Sequence, residues 1–173
     1  DQIEVSEEAL QEFRQQFLDD YEAEICVDSC VFAELEDVLT ALEEKGVPWG
    51  IVTNKPRYLA EKLLDKMQLD GRCSALVCPD DVSRSKPDPE PMYAALEKLG
   101  IPRGAAESVI YVGDHIRDIE AGNAAGMPTI LAAYGYIPPE DQKNLKKWGA
   151  DYITDTPEQL NKLLLSSGKF DYL

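Results

Sequence analysis

The chain has 173 residues, 44% of them hydrophobic, which is enough for one domain with a sizeable core. Its net charge of −16 opposes binding to nucleic acid or an anionic membrane, and no apolar run approaches the ~20 residues of a membrane span. The acidic start, DQIEVSEEAL, is unlike a signal peptide; a cytoplasmic protein is expected, and so abrupt a start also fits a piece of a longer chain.

The charge is concentrated at one end. Residues 1–44 hold 15 acidic side chains and one basic one, Arg14, whereas the other 129 carry 18 and 16. Such a block is expected to be a solvated helical face, with a site for a cationic partner as the alternative. Within it, Leu10, Phe13, Phe17 and Tyr21 recur at steps of three or four, which predicts an amphipathic helix over residues 6–26. A second helix places Leu35, Val38, Leu39 and Leu42 on one stripe and stops at Gly46. From there strands and helices alternate. Strands are predicted over residues 47–53, 75–78, 108–112, 128–132 and 152–154; helices over 56–67, 89–99, 116–125, 140–148 and from Pro157 onward. Cys26, Cys30, Cys73 and Cys78 have no zinc-like spacing and are expected to be reduced, buried thiols.

Apolar strands without period-two alternation, separated by helices, predict an α/β fold with a parallel sheet covered on both faces. Ligands of such sheets bind at the strands' carboxyl ends. After the strand at 47–53 stand Thr53-Asn54-Lys55-Pro56, a hydroxyl and an amide at a helix start, suited to an anion or to plain helix capping. After the strand at 75–78 comes Ser85-Lys86-Pro87-Asp88-Pro89, whose lysine either directs a fixed charge at a phosphoryl oxygen or is solvated surface. After the strand at 108–112 comes Gly113-Asp114-His115-Ile116-Arg117-Asp118. Its two carboxylates share one helical face beside an apolar strand and call for a cation, magnesium being the hard ion that oxygen ligands favour. Capping by Asp114 alone is the alternative, and it leaves Asp118 unexplained. His115 is expected to be a supporting or surface histidine, and Arg57 a solvated helix residue.

Together, IVTNKP, SKPDP and YVGDHIRDIEAGNAAGM resemble, in order, the second, third and fourth motifs of the haloacid dehalogenase superfamily. Within the superfamily the chain most resembles the bacterial phosphoglycolate phosphatases, and GVPWGIVTNKP, GDHIRDIEAG and YGYI are also similar to the N-acetylmuramic acid 6-phosphate phosphatases of that group. The resemblance implies a Rossmann-like three-layer fold, with residues 1–30 as the remnant of a helical cap and 31–173 as an incomplete core. It implies a phosphatase of small phosphorylated metabolites, using Mg2+ and an aspartyl-phosphate intermediate. Thr53 and the Asn54 backbone would hold the phosphoryl group and Lys86 would offset its charge. Asp114 would bind the metal, and Asp118 would orient its waters or the lysine.

The family's first motif, Asp-x-Asp-Gly-Thr at the end of the central strand, supplies the nucleophile, and no such string occurs here. Phe170-Asp171-Tyr172-Leu173 echoes only its opening. The resemblance therefore implies that this chain is part of a longer protein and is inactive alone. A phosphomutase of the same fold and a non-catalytic remnant that binds a partner or phosphorylated ligand are the alternatives. The substrate and the oligomeric state are not legible.

Overall fold

A computed structural model describes residues 6–170; the first five residues and the Asp171–Leu173 part of the terminal echo lie outside it. Helix α1 (Glu7–Ala23) begins where the Ser6 hydroxyl accepts the Ala9 N–H at 3.2 Å. The apolar stripe has the predicted spacing but buries none of its residues, and Phe13 and Phe17 are 70% and 67% exposed. Helix α2 (Ala33–Glu44) packs along α6 (Pro157–Leu165), where Asn161 Nδ2 donates to Glu34 O at 2.8 Å.

Between them the chain alternates β1 (Gly50–Val52), α3 (Arg57–Lys66), β2 (Ala75–Val77), α4 (Glu90–Lys98), β3 (Tyr111–Gly113), α5 (Ile116–Ala125), β4 (Thr129–Ala132) and β5 (Tyr152–Thr154). All pairings are parallel, as predicted, but they form two sheets, β1–β2 and β3–β4–β5. The division has a local cause in the peptide directions. Thr53 N–H donates to Val77 O, so the trans peptide turns the Val52 carbonyl away from β2. Tyr111 N–H donates to Pro128 O, which turns the Ile110 carbonyl away from β4. Val52 and Tyr111 nevertheless pack on one core of Met92, Leu96, Ala106, Ala121, Ala125 and Met127. The two sheets therefore share a core, and among the described residues the outer edges of β1 and β3 pair with no further strand. Burial agrees: β4 is buried at all its positions, while no residue of β1 or β3 is fully buried.

Three expectations are corrected. Residues 140–148 do not form an α-helix; Asn144 and Lys147 bond three residues back, and only Leu145–Trp148 is a short 3-10 turn. A three-residue repeat puts Leu145 and Trp148 on one side, where both pack against Ile119 and Leu131, and no further apolar residue is needed. Strands β1 to β4 are shorter than predicted, because pairing ends where the loops leave the sheets, whereas β5 has its predicted bounds. Of the four free thiols only Cys78 is buried, Cys26 and Cys73 are half-buried, and Cys30 is exposed. No helix of the described residues is long and apolar enough to cross a membrane.

Candidate active site

Lys86 lies at the centre of the site. Its ammonium donates to Val52 O at 2.9 Å, Tyr111 Oη at 3.1 Å and Asp118 Oδ1 at 2.7 Å. Its side chain is 9% exposed and that of Asp118 10%, so the pair is nearly dry and its charge-assisted bond is strong. All three ammonium protons are used. The loop of Lys86 is tied to the end of β1, since Asn54 Nδ2 donates to Lys86 O at 3.2 Å. The Thr53 hydroxyl, one residue before, accepts the Lys55 N–H at 3.1 Å and shapes the turn into α3.

Asp118 is held on its other side by the start of α5. Its Oδ2 accepts the His115 N–H at 3.0 Å, and His115 Nδ1 accepts the Arg117 N–H at 3.1 Å, a reciprocal cap. His115 thus serves as a helix cap, with its ring beside Trp148. Both Asp118 oxygens are committed. Asp114 lies at the end of β3, where Oδ2 accepts the Tyr136 N–H at 3.1 Å. It lines an open cavity of about 410 Å³ with Phe32, Gly113, Ala132 and Tyr134 to Tyr136. A side chain at Gly135 would collide with Asp114, so that turn must be glycine to approach so closely. Burial, then the Asp114 charge, pushes the Tyr134 phenol above its ordinary value.

The structure thus brings Thr53–Asn54, Lys86 and Asp118 together at the carboxyl ends of β1 and β3, with Asp114 at the end of β3. Arg57 stands apart from the site, half-buried and paired with Glu61 and Asp81 at the start of α3 rather than solvated. Sequence reasoning gave no role to Tyr111, the Val52 carbonyl or the Tyr134–Tyr136 turn, although the first and last lie in quoted motifs. The signals were a phenol in an apolar strand two residues before Gly113 for Tyr111 and the YGYI string for the turn. Among the described residues no group of three His, Cys, Asp or Glu is placed to hold a metal. The donors fit magnesium only in part. They are hard oxygens, but Asp114 alone keeps a carboxylate oxygen uncommitted, and six oxygens are typical.

The family model described as haloacid dehalogenase-like hydrolase matches residues 1–132. An N-acetylmuramic acid 6-phosphate phosphatase of Pseudomonas aeruginosa is 44% identical over 155 residues, covering 90% of this chain and 66% of that protein. A phosphoglycolate phosphatase of Xylella fastidiosa is 40% identical over 154 residues, covering 89% of this chain and 65% of its own length. The chain thus spans about two thirds of these relatives. A crystal structure described as a predicted phosphoglycolate phosphatase from Haemophilus somnus superposes with a TM-score of 0.79 at 27% identity, covering 92% of this chain and 68% of that one.

Proposed function

The chain belongs to the haloacid dehalogenase-like hydrolases, and from that membership we propose that its full-length protein is a magnesium-dependent phosphatase of small phosphorylated metabolites. The observation that carries the proposal is the dry Lys86–Asp118 pair beside the Thr53–Asn54 turn, at the edge of a gap one strand could fill. A fixed positive charge beside a helix start is a phosphoryl-binding arrangement. The relatives named for phosphoglycolate and N-acetylmuramic acid 6-phosphate support small monoesters as the substrate class.

In this reading Thr53 and Asn54 bind the phosphoryl oxygens and Lys86 offsets their charge. Asp114 supplies one oxygen to the ion, which when bound stabilises charge on the phosphoryl group as a Lewis acid. Asp118, with both oxygens taken, acts as the anchor of Lys86 rather than as a direct ligand. The described residues place no carboxylate to attack phosphorus, so the nucleophile comes from a strand in the β1–β3 gap. A strand paired there brings an N–H to Val52 O and frees one Lys86 proton for the incoming carboxylate or phosphoryl oxygen. Residues 6–30 serve as part of a cap over this cleft, and the cytoplasm is the proposed location.

Phosphate release from an aryl phosphate tests the proposal. Magnesium-dependent turnover is expected from a longer form carrying the strand, with loss of about 10²-fold or more in Asp114→Ala and none from residues 1–173 alone. Turnover by residues 1–173 alone would overturn the strand assignment; no turnover in the longer form would leave a non-catalytic phosphate binder.

A further inference from the structure

We infer that Tyr111 is a positioning residue of the phosphoryl site: with Asp118 it fixes the direction in which the Lys86 ammonium presents its third proton. The inference rests on the phosphatase reading for its consequence, but on geometry for its substance. The Tyr111 ring is packed against the apolar core that contains Met92 and Leu96, and a phenylalanine would fill the same volume. Room for the ring is kept by Gly122, where a Cβ would lie 3.2 Å from Tyr111 Cδ1. Its hydroxyl is therefore not needed for packing, and a buried hydroxyl is costly unless bonded.

That hydroxyl has two partners, both in the site. It accepts from Lys86 Nζ at 3.1 Å and donates to Asp118 Oδ1 at 3.3 Å, closing a triangle with the 2.7 Å ion pair. Burial, then the Asp118 charge, keeps the phenol protonated, so it stays a donor to Asp118. An ammonium held by one carboxylate swivels about that bond; a second fixed acceptor removes the rotation. Once a strand takes over Val52 O, Tyr111 and Asp118 are the two acceptors that aim the remaining proton. No other described side chain accepts from Lys86.

The test compares wild type with Tyr111→Phe by two readouts. In proton–nitrogen correlation spectra of the lysine ammonium groups, assigned through side-chain carbons, Lys86 should give a slowly exchanging signal in the longer protein, where a strand has taken over Val52 O. That signal should broaden or vanish in Tyr111→Phe while the melting temperature stays within a few degrees. In the longer protein, the same change should lower kcat about tenfold toward an aryl phosphate with KM within twofold. A Lys86 signal unaffected by the substitution, or an unchanged kcat, would overturn the inference. A protected, Tyr111-dependent signal in a longer protein without turnover would instead retain the positioning and sink the phosphatase reading.

Discussion

Lys86 and Asp118 are a lysine and a carboxylate withdrawn from water together, and each is expensive to bury without the other. Their 2.7 Å contact is supported by Val52 O, Tyr111 Oη and the His115 N–H, so every partner atom is satisfied. Replacing Lys86 with methionine keeps the stem and removes the charge, leaving Asp118 buried with only neutral partners. We expect this to cost about 3–5 kcal/mol in urea unfolding, with much of the loss recovered in Lys86→Met/Asp118→Asn. An additive double variant would show that the pair is not coupled. A second residue-scale prediction concerns Gly122, where a Cβ would lie 2.6 Å from Thr129 Cγ2. Gly122→Ala should destabilise by about 1–3 kcal/mol through overpacking, despite the better helix propensity of alanine. Its urea midpoint reads the sign directly.

At the scale of elements, the 3-10 turn Pro79–Asp81 locks α3, β2 and α4 together through one carboxylate. Asp81 Oδ2 accepts the Cys78 N–H at 2.8 Å, pairs with Arg57 at the start of α3 and lies 3.5 Å from Lys98 at the end of α4. Lys98 also donates to Leu76 O at 2.7 Å on β2. Burial pushes the Asp81 carboxyl up, but the Cys78 N–H, Lys98 and Arg57 outweigh it and hold the carboxyl below its ordinary value of 3.8. A carboxyl lowered on folding stabilises at pH values above its unfolded value, and that contribution fades as pH falls through the folded value. Asp81→Asn should therefore lower the melting temperature by a few degrees at pH 7, about 1 kcal/mol, with the gap closing below pH 3.8. A difference that persists unchanged in acid would assign the effect to packing.

Over the whole molecule, the dominant feature is the division of one core between two sheets. Helix α4 packs on β1, β2 and α5, while α5 packs on β3 and β4, so the helices bridge what the strands leave apart. Trp49 O accepts from Ser74 N–H, which directs the Gly50 N–H away from β2 and into the gap. By alternation from Tyr111, the Val112 N–H points to the gap from the other side. Hydrogen exchange should find both amides fast in residues 1–173 and protected by orders of magnitude in a longer form with the strand in place. Equal exchange in the two would place that strand elsewhere. The bare stripe of α1 fits the same view, since a helix with three large apolar residues exposed is formed to be covered.

How much of this was legible depended on whether the signal was local. The parallel α/β alternation, the helix from Ile116 to Ala125 and the strand at Tyr152–Thr154 could be read from apolar runs and caps, whereas Thr53, Lys86, Asp114 and Asp118 became joint candidates only through the family resemblance of their motifs. Each of the former is set within about ten residues by backbone geometry and side-chain periodicity. The sequence also showed the absence of an Asp-x-Asp-Gly-Thr string. What only the tertiary structure decided was which groups meet across long separations. That Tyr111 reaches Lys86, that the Val52 carbonyl takes its proton, and that the Tyr136 amide holds Asp114 follow from the packing of distant elements. The same cause turned residues 140–148 from a predicted helix into a turn, because two apolar anchors three apart met a core already filled by Ile119 and Leu131.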